Sequence, residues 1–504
     1  STTLRLALHK ADVQQECDSA PLTAWAGAIW DRAMSDKELA DAWHWQSPKV
    51  GMRQVKDKPS KWSRVTGPAG ACILTARRIG WTWPAFNVFV DRSGRHINLR
   101  NVCPQDVRAM VLLDSDAALW DKWTKQPQWA SLAPRPCIEP LVSLCKSSKE
   151  LKTTQKAVEH IVAIGAVTQT TMQKWGYVDS GLCQACQANG TPHHRFWKCP
   201  AWRSLRLSGD RQHQHAGDKA DENDLLYTRC LVAEKKVPFQ PTQEVVHWQL
   251  GPQQAAIFED IAGTDGSLKH KHRAGGQCGW AVTGMQGGDT LTAWGTMPAD
   301  LPVQKRILRA ELWAILQALR HSQPPLQVHT DCAIVLQLLK KGRRVCTAAR
   351  TKHADVWRLI WHYLEDIGLG TEGIDMHKVK AHVTDGKLNE MSARQQFIIQ
   401  LNRLSDTWAK QGADLDYVVE WHVQALGDQQ KKVKQIAQYM AYIEVQSRDA
   451  EGERADVQKV GKRERARRRL RPPREPRRPE CPHALTYHNG ILTCDLCNRK
   501  AVSR

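Results

Sequence analysis

The chain has no apolar run approaching the roughly 20 residues that a membrane-spanning helix needs. Its N-terminus has no signal-peptide layout. No internal repeat is present. Acidic charge is in deficit: 52 Asp and Glu stand against 72 Lys and Arg, a formal net charge of +20. An excess of that size favours a polyanionic partner, through phosphate neutralisation and counterion release. An anionic membrane surface would meet the same charge, but the chain carries no hydrophobic anchor. It begins at Ser1 rather than Met, as a fragment or a processed product would.

What is present points to several folded units. At 504 residues with 41% apolar content, the chain fits about three globular domains with real cores. The 15 cysteines are an odd count, and six of them crowd into two Cys-x-x-Cys neighbourhoods, as metal sites do. The others read as buried small hydrophobes or free thiols, in an intracellular, reducing setting. Of the 21 tryptophans, 14 precede position 250 and read mainly as core or helix-packing residues.

Residues 1–175 form a mainly helical region of unknown role, with helical stretches at 21–46, 104–125 and 148–164. A strand–turn–strand interrupts it: Phe86 to Val90, the polar turn Asp91-Arg92-Ser93-Gly94-Arg95, then His96 to Leu99. A compact Cys/His motif follows at 176–206. Residues 207–249 read as a linker, because 207–223 is polar and lacks periodicity. From 250 to 415, strands at 278–285 and 291–297 precede a helix at 306–321 and a strand at 326–330. Helices at 332–341 and 353–366, a strand at 373–380 and a final helix at 401–412 complete an α/β pattern with a mixed sheet. Residues 416–470 are a charged helix with one weak apolar face (Val433, Ile436, Ala437, Met440, Ile443). A basic Pro/Arg-rich segment spans 459–480, with 11 Lys or Arg against two Glu in 459–478. It suits a nucleic-acid tether, through Arg467, Arg468 and Arg469 among others, or a nuclear import signal.

Four acids in the 250–415 region carry the chemistry. Asp265 lies in Thr264-Asp265-Gly266-Ser267, after the apolar stretch Ala255 to Ile261. Glu311 opens the helix-patterned segment Glu311-Leu312-Trp313-Ala314-Ile315-Leu316. Asp331 follows the strand-like Leu326 to Thr330, and Asp406 stands in Ser405-Asp406-Thr407-Trp408-Ala409. Hard oxygen ligands suit Mg²⁺ or Mn²⁺. Two such ions roughly 3.5–4 Å apart can activate a water and stabilise a leaving oxygen in phosphodiester hydrolysis.

At these residues, over about 250–415, the chain resembles the ribonuclease H type 1 family. Acid order, a helix-borne Glu and Asp-x-x-Ala on a last helix all match, as does the glycine-rich bend Ala274-Gly275-Gly276-Gln277-Cys278-Gly279-Trp280. The resemblance implies a mixed five-stranded sheet with helices, and cleavage of RNA in RNA–DNA hybrids. It implies that Asp265 bridges two ions from the central strand, that Glu311 points back over the sheet from the first turn of its helix, and that Asp331 and Asp406 complete the site. RNA selection would rest on minor-groove contact with 2′-hydroxyls. His382, in Val379-Lys380-Ala381-His382, resembles the family's mobile histidine, and its ordinary pKa suits proton transfer. It stands 24 residues before Asp406, a longer gap than is usual in the family, and the insert 385–400 would move it or form a lid. Lys378 and Lys380 are candidate phosphate contacts.

Cys183-x2-Cys186-x7-His194-x4-Cys199 has the ligand types and spacing of a tetrahedral zinc site, with His193 as an alternative to His194. A second cluster, Cys481, His483 or His488, Cys494 and Cys497, would hold zinc around a hairpin turning at Asn489-Gly490. The first motif resembles the knuckle that follows the reverse transcriptase in non-LTR retrotransposon polyproteins. That order implies a nuclease working beside a reverse transcriptase encoded upstream. The chain has no Tyr/Phe-x-Asp-Asp polymerase signature. Competing readings are a catalytically inactive, nucleic-acid-binding remnant of a mobile element, and a nuclease of the same fold acting on DNA.

Overall fold

The computed structural model describes residues 19–51, 67–147, 151–207, 216–249, 257–269, 276–366, 374–380, 383–416, 420–455, 485–488, 491–494 and 500–502. Two units are distinguished, Ser1–Ala441 and Tyr442–Arg504. Among the described residues no helix is long and apolar enough to cross a membrane.

The N-terminal region is helical around a small antiparallel sheet of β1 (Thr82–Ala85), β2 (Val88–Val90) and β3 (His96–Asn98). The stretch expected as one helix over 21–46 is two, 19–30 and Asp36–Gly51. The break has a local cause: Arg32 takes a positive φ, and Ser35 and Glu38 exchange hydrogen bonds as a capping box that starts the second helix. Trp25, Trp43, Trp81 and Phe89 fill the core of this region, and Leu301 and Val303 from the following domain share it. Further ties cross the same boundary: Trp30 donates its indole N–H to Thr347 O (2.9 Å), and Arg358 donates to Trp30 O (2.8 Å). Arg309 forks onto Asp355 at 3.0 and 2.6 Å, beside Asp106.

The central sheet is mixed and α/β, as expected, but has six strands rather than five. They are β4 (Val245–Gln249), β5 (Phe258–Lys269), β6 (Gln277–Gln286), β7 (Asp289–Thr296), β8 (Ser322–Thr330) and β9 (Ile374–Lys378), in the order β4-β7-β6-β5-β8-β9. The first four pair antiparallel, while β5-β8-β9 run parallel. The sixth strand corrects the expected linker at 207–249. β4 pairs in register with β7, and Glu244 accepts hydrogen bonds from Trp313, Gln317 and Arg320 on the Ile307–Arg320 helix. Residues 225–229 of the same stretch are a helix capped by the Asp224 side chain.

Helices cover both faces of β5. The Ile307–Arg320 helix lies against one and the long Ala393–Leu415 helix against the other. The latter begins eight residues earlier than expected, at a capping box in which Ser392 and Gln395 satisfy each other's backbone N–H groups. Its C-terminal end is pinned by Asp416, which is fully buried. Asp416 accepts from Lys305 (2.7 Å), Thr242 (2.7 Å) and the Cys278 backbone N–H (2.9 Å).

The Glu420–Ala455 helix follows. Its apolar face within the first unit (Val433, Ile436, Ala437, Met440) is buried, with Tyr439 stacked on Trp197 at 5.0 Å and Met440 Sδ 3.5 Å from Cys230 Sγ. In the second unit, β10 (Leu485–His488) and β11 (Ile491–Cys494) form the expected hairpin, with Tyr487 opposite Leu492, and β12 (Lys500–Val502) extends it.

Lys305→Met would leave the Asp416 carboxylate buried without its cation. Such a loss costs about 3–5 kcal/mol. A matching fall in the stability of the α/β domain, followed by chemical denaturation, is the expected result; an unchanged midpoint would refute the pinning role.

Candidate active site and metal centre

β5 delivers Asp265 from mid-strand, not from a turn. Thr264-Asp265-Gly266-Ser267 is continuous strand, and its residues pair with β6, Asp265 opposite Ala281. Asp331 directly follows β8, whose Thr330 lies beside Thr264 in the parallel register. This is the open end of parallel strands, where the ligand sites of α/β sheets gather. Glu311 comes from the Ile307–Arg320 helix, one residue past its first turn rather than within it. One oxygen from each of Asp265, Glu311 and Asp331 lies within 4.8 Å of the others. Asp406 is not part of that tight group. It stands on the Ala393–Leu415 helix, partly exposed, and its carboxylate takes a 2.6 Å ion pair from Lys410.

Burial and mutual repulsion govern this cluster. Asp265 and Glu311 are 6% and 5% exposed. Burial, then the charges of Asp331 and Asp406, push Asp265 up to about 8. Burial and the charges of Asp265 and Asp331 push Glu311 well above the usual carboxylate range. Glu311 Oε2 is buried without a hydrogen-bond partner. A buried oxygen left unpaired among like charges is costly to the fold. A hard divalent cation would relieve both penalties at once, so the residues present fit one.

Lys378 and Lys380 line an open cleft of about 420 Å³ that Asp331 also lines. Lys387, which sequence reasoning missed, lines it too, with Val383, Thr384 and Met391. These wall residues belong to the insert between His382 and Asp406. The Asp385–Asn389 helix and the start of the long helix occupy the insert, and Leu388 is buried with Val379 and Ile399. His382 itself lies outside the described residues, as do Arg467, Arg468 and Arg469.

The knuckle ligands also converge. Cys183, Cys186, His194 and Cys199 bring their ligand atoms within 4.8 Å of one another. Cys199 Sγ lies 3.9 Å from Cys183 Sγ and 3.8 Å from Cys186 Sγ, and Cys186 Sγ is 3.1 Å from His194 Nε2. Tetrahedral zinc with bonds of about 2.3 Å requires sulfurs about 3.8 Å apart, whereas a disulfide requires about 2.05 Å. The donor set and spacing fit zinc. His193, the alternative ligand, is fully buried and donates its Nε2–H to Gly217 O at 2.8 Å. Of the C-terminal cluster, Cys481, His483 and Cys497 lie outside the described residues, and Cys494 ends β11.

A family model for RNase H matches residues 260–414. No curated protein matches the chain. Three solved structures are similar at low identity. A foamy viral protease–reverse transcriptase in complex with dsDNA is 15% identical over 30% of this chain and 92% of that chain, with a TM-score of 0.22. A foamy viral protease–reverse transcriptase with RNA/DNA hybrid is 17% identical over 35% of this chain, which spans 22% of that one, with a TM-score of 0.23. The PFV RNase H domain in solution is 19% identical over 32% of this chain and 97% of that domain, also with a TM-score of 0.23. The family match identifies an RNase H domain at 260–414, and the acid cluster lies within it. β4 precedes the matched range, so the sheet's sixth strand is supplied from outside it.

Without a divalent ion, folded Asp265 keeps its proton up to about pH 8, while in the unfolded chain it ionises near pH 4. The folded state holds the extra proton across that window, so this contribution to stability is present at pH 4 and lost as pH rises through 8. Asp265→Asn should therefore melt above the metal-free wild type at pH 8, with the gap closing towards pH 4. Mg²⁺ should stabilise the wild type and not the variant; thermal melts across pH with parallel slopes would refute the reading. For the knuckle, Cys199→Ser should carry one zinc fewer per chain by elemental analysis. Equal zinc content would exclude Cys199 as a ligand.

Proposed function

We propose that the chain is a divalent-metal-dependent endonuclease that hydrolyses the RNA strand of RNA–DNA hybrids. The observation that carries this reading is the convergence of Asp265, Glu311 and Asp331, with Glu311 Oε2 buried and unpartnered, inside an RNase H domain. Asp265, Glu311 and Asp331 would hold the ions (Mg²⁺ or Mn²⁺), with Asp406 completing the set from the last helix. When bound, such ions would supply activation of a water and charge stabilisation at the leaving oxygen, which would leave a 3′-hydroxyl and a 5′-phosphate. The protein's own groups do the positioning. Lys378, Lys380 and Lys387 flank the cleft beside Asp331 and neutralise backbone phosphates, which draws the scissile phosphate against the carboxylates. Lys410 holds the Asp406 carboxylate in place. RNA is selected through its 2′-hydroxyls across the minor groove. His382 would assist proton transfer or product release.

The Cys₃His knuckle ahead of the RNase H domain supports a place in a retrotransposon-derived polyprotein. There the nuclease would remove RNA template beside a reverse transcriptase encoded upstream, and zinc at the knuckle would be structural. The basic 459–478 segment would tether nucleic acid or direct nuclear import.

The test is cleavage of a labelled RNA–DNA hybrid in Mg²⁺. The wild type should cut only the RNA strand, and Asp331→Asn should be slower by more than about a hundredfold, since partners of metal ligands alone command up to that much. Lys387→Ala should raise KM with little change in kcat and flatten the salt dependence of binding by about one unit of slope. A wild type that binds the hybrid without cutting it would mark an inactive remnant, and cleavage of duplex DNA would move the substrate class.

A further inference from the structure

Away from the carboxylates, an open cleft of about 470 Å³ lies beside the Cys₃His knuckle. Three tryptophans from separate elements line it. Trp123 lies in the last turn of the Pro104–Thr124 helix, Trp129 sits in the short Pro127–Leu132 helix, and Trp175 follows the Gln169–Lys174 helix. Trp123 and Trp129 are half-buried with ring centroids 5.9 Å apart, and Trp175 is 40% exposed. The Arg229 guanidinium lies 5.1 Å over the Trp129 ring, and Lys174 adds a second cation. The knuckle builds one wall: Pro192 lines the cleft, and Thr170 donates both its hydroxyl (2.9 Å) and its backbone N–H (3.3 Å) to Gly190 O.

We infer that this cleft binds unpaired bases of single-stranded nucleic acid, with Trp175 as the accessible stacking face and Lys174 and Arg229 meeting the phosphates. Aromatic faces stack on any base, and flanking cations follow the backbone, which is the combination strand-binding grooves use. Pockets of 300–1,000 Å³ hold small ligands, so about 470 Å³ suits one or two nucleotides. Two cations against the single carboxylate Glu222 favour an anionic ligand, in keeping with the net charge of +20. The site does not depend on the carboxylate cluster. It would hold a strand while the nuclease acts elsewhere on it, or hold one if the nuclease is inactive.

The test uses the full chain carrying Asp331→Asn, without added divalent ions, and fluorescein-labelled oligo(U) and oligo(dT) of about twelve nucleotides. High salt screens binding by the basic segment and spares stacking. Both oligonucleotides should bind and quench tryptophan emission. Trp175→Ala should weaken both by about tenfold or more, and Lys174→Ala should weaken both by a few fold once the salt is lowered and its charge is unscreened. Unchanged affinity in Trp175→Ala would overturn the proposal, as would absence of quenching or equal quenching by an acidic peptide of the same charge. The parent already lacks Asp331, so failure here is separate from failure of the nuclease reading. Trp175→Ala in the otherwise native chain should still cleave a short hybrid at the wild-type rate.

Discussion

At Gly279 the last helix of the RNase H domain lies so close to the sheet that a Cβ would stand 2.1 Å from Ala413 N and 2.2 Å from Ala409 O. The contact is repeated along the interface. A Cβ on Gly412 would stand 2.2 Å from Gly295 O, and one on Gly263 would stand 2.9 Å from Asn402 N. On the other face, a Cβ on Gly266 would stand 2.5 Å from Glu311 N. Backbone therefore packs directly on backbone, a close approach that only glycine permits. Asp406 lies between Asn402 and Ala409 on the first helix, and Glu311 belongs to the second. The separation of the carboxylates is set by missing methyl groups rather than by any bond among the acids themselves.

That geometry forces charge into a small volume. Asp265, Glu311 and Asp331 meet where burial penalises ionisation, and nothing pairs Glu311 Oε2. Elsewhere in the domain some acids meet cations: buried Asp416 has Lys305 and two further donors, and half-buried Asp355 has Arg309. The contrast is informative because both solutions occur in one domain. Glu311 Oε2, buried among like charges without a hydrogen-bond partner, is the kind of group that an added cation would relieve. The knuckle makes the complementary choice, with three thiols and an imidazole spaced for a softer ion.

Much of this was legible in the chain because its signals are local. The order Asp265, Glu311, Asp331 with strand and helix patterns around each, and the short Cys/His spacing, each announce chemistry within a few residues. What was missed is non-local. β4 is a five-residue edge strand whose partner, β7, lies some forty residues on, and no pattern in 245–249 names that partner. Gly266 and Gly279 are strand interior, and the helices that press on them arrive from far along the chain, which no local pattern shows. The packing of Leu301 and Val303 into the N-terminal core is equally invisible to a local reading. One miss did have a local signal: Ser392 and Gln395 have capping-box spacing, and they mark the true start of the last helix.

The longer gap between His382 and Asp406 bears most directly on activity. As a loose loop, the insert would weaken the resemblance to a working nuclease by leaving nothing to hold that side of the site. It is instead ordered by its own contacts. Leu388 packs with Val379 and Ile399, Arg403 bonds to Val383 O and pairs with Asp385 at 3.0 Å, and Arg394 reaches Gln327 on β8 at 2.9 Å. The last tie is to the strand that Asp331 follows. An insert braced against β8, with Lys387 turned to the Asp331 cleft, extends the site rather than interrupting it. The same residues that lengthen the gap add Lys387 to the cleft that Lys378, Lys380 and Asp331 line.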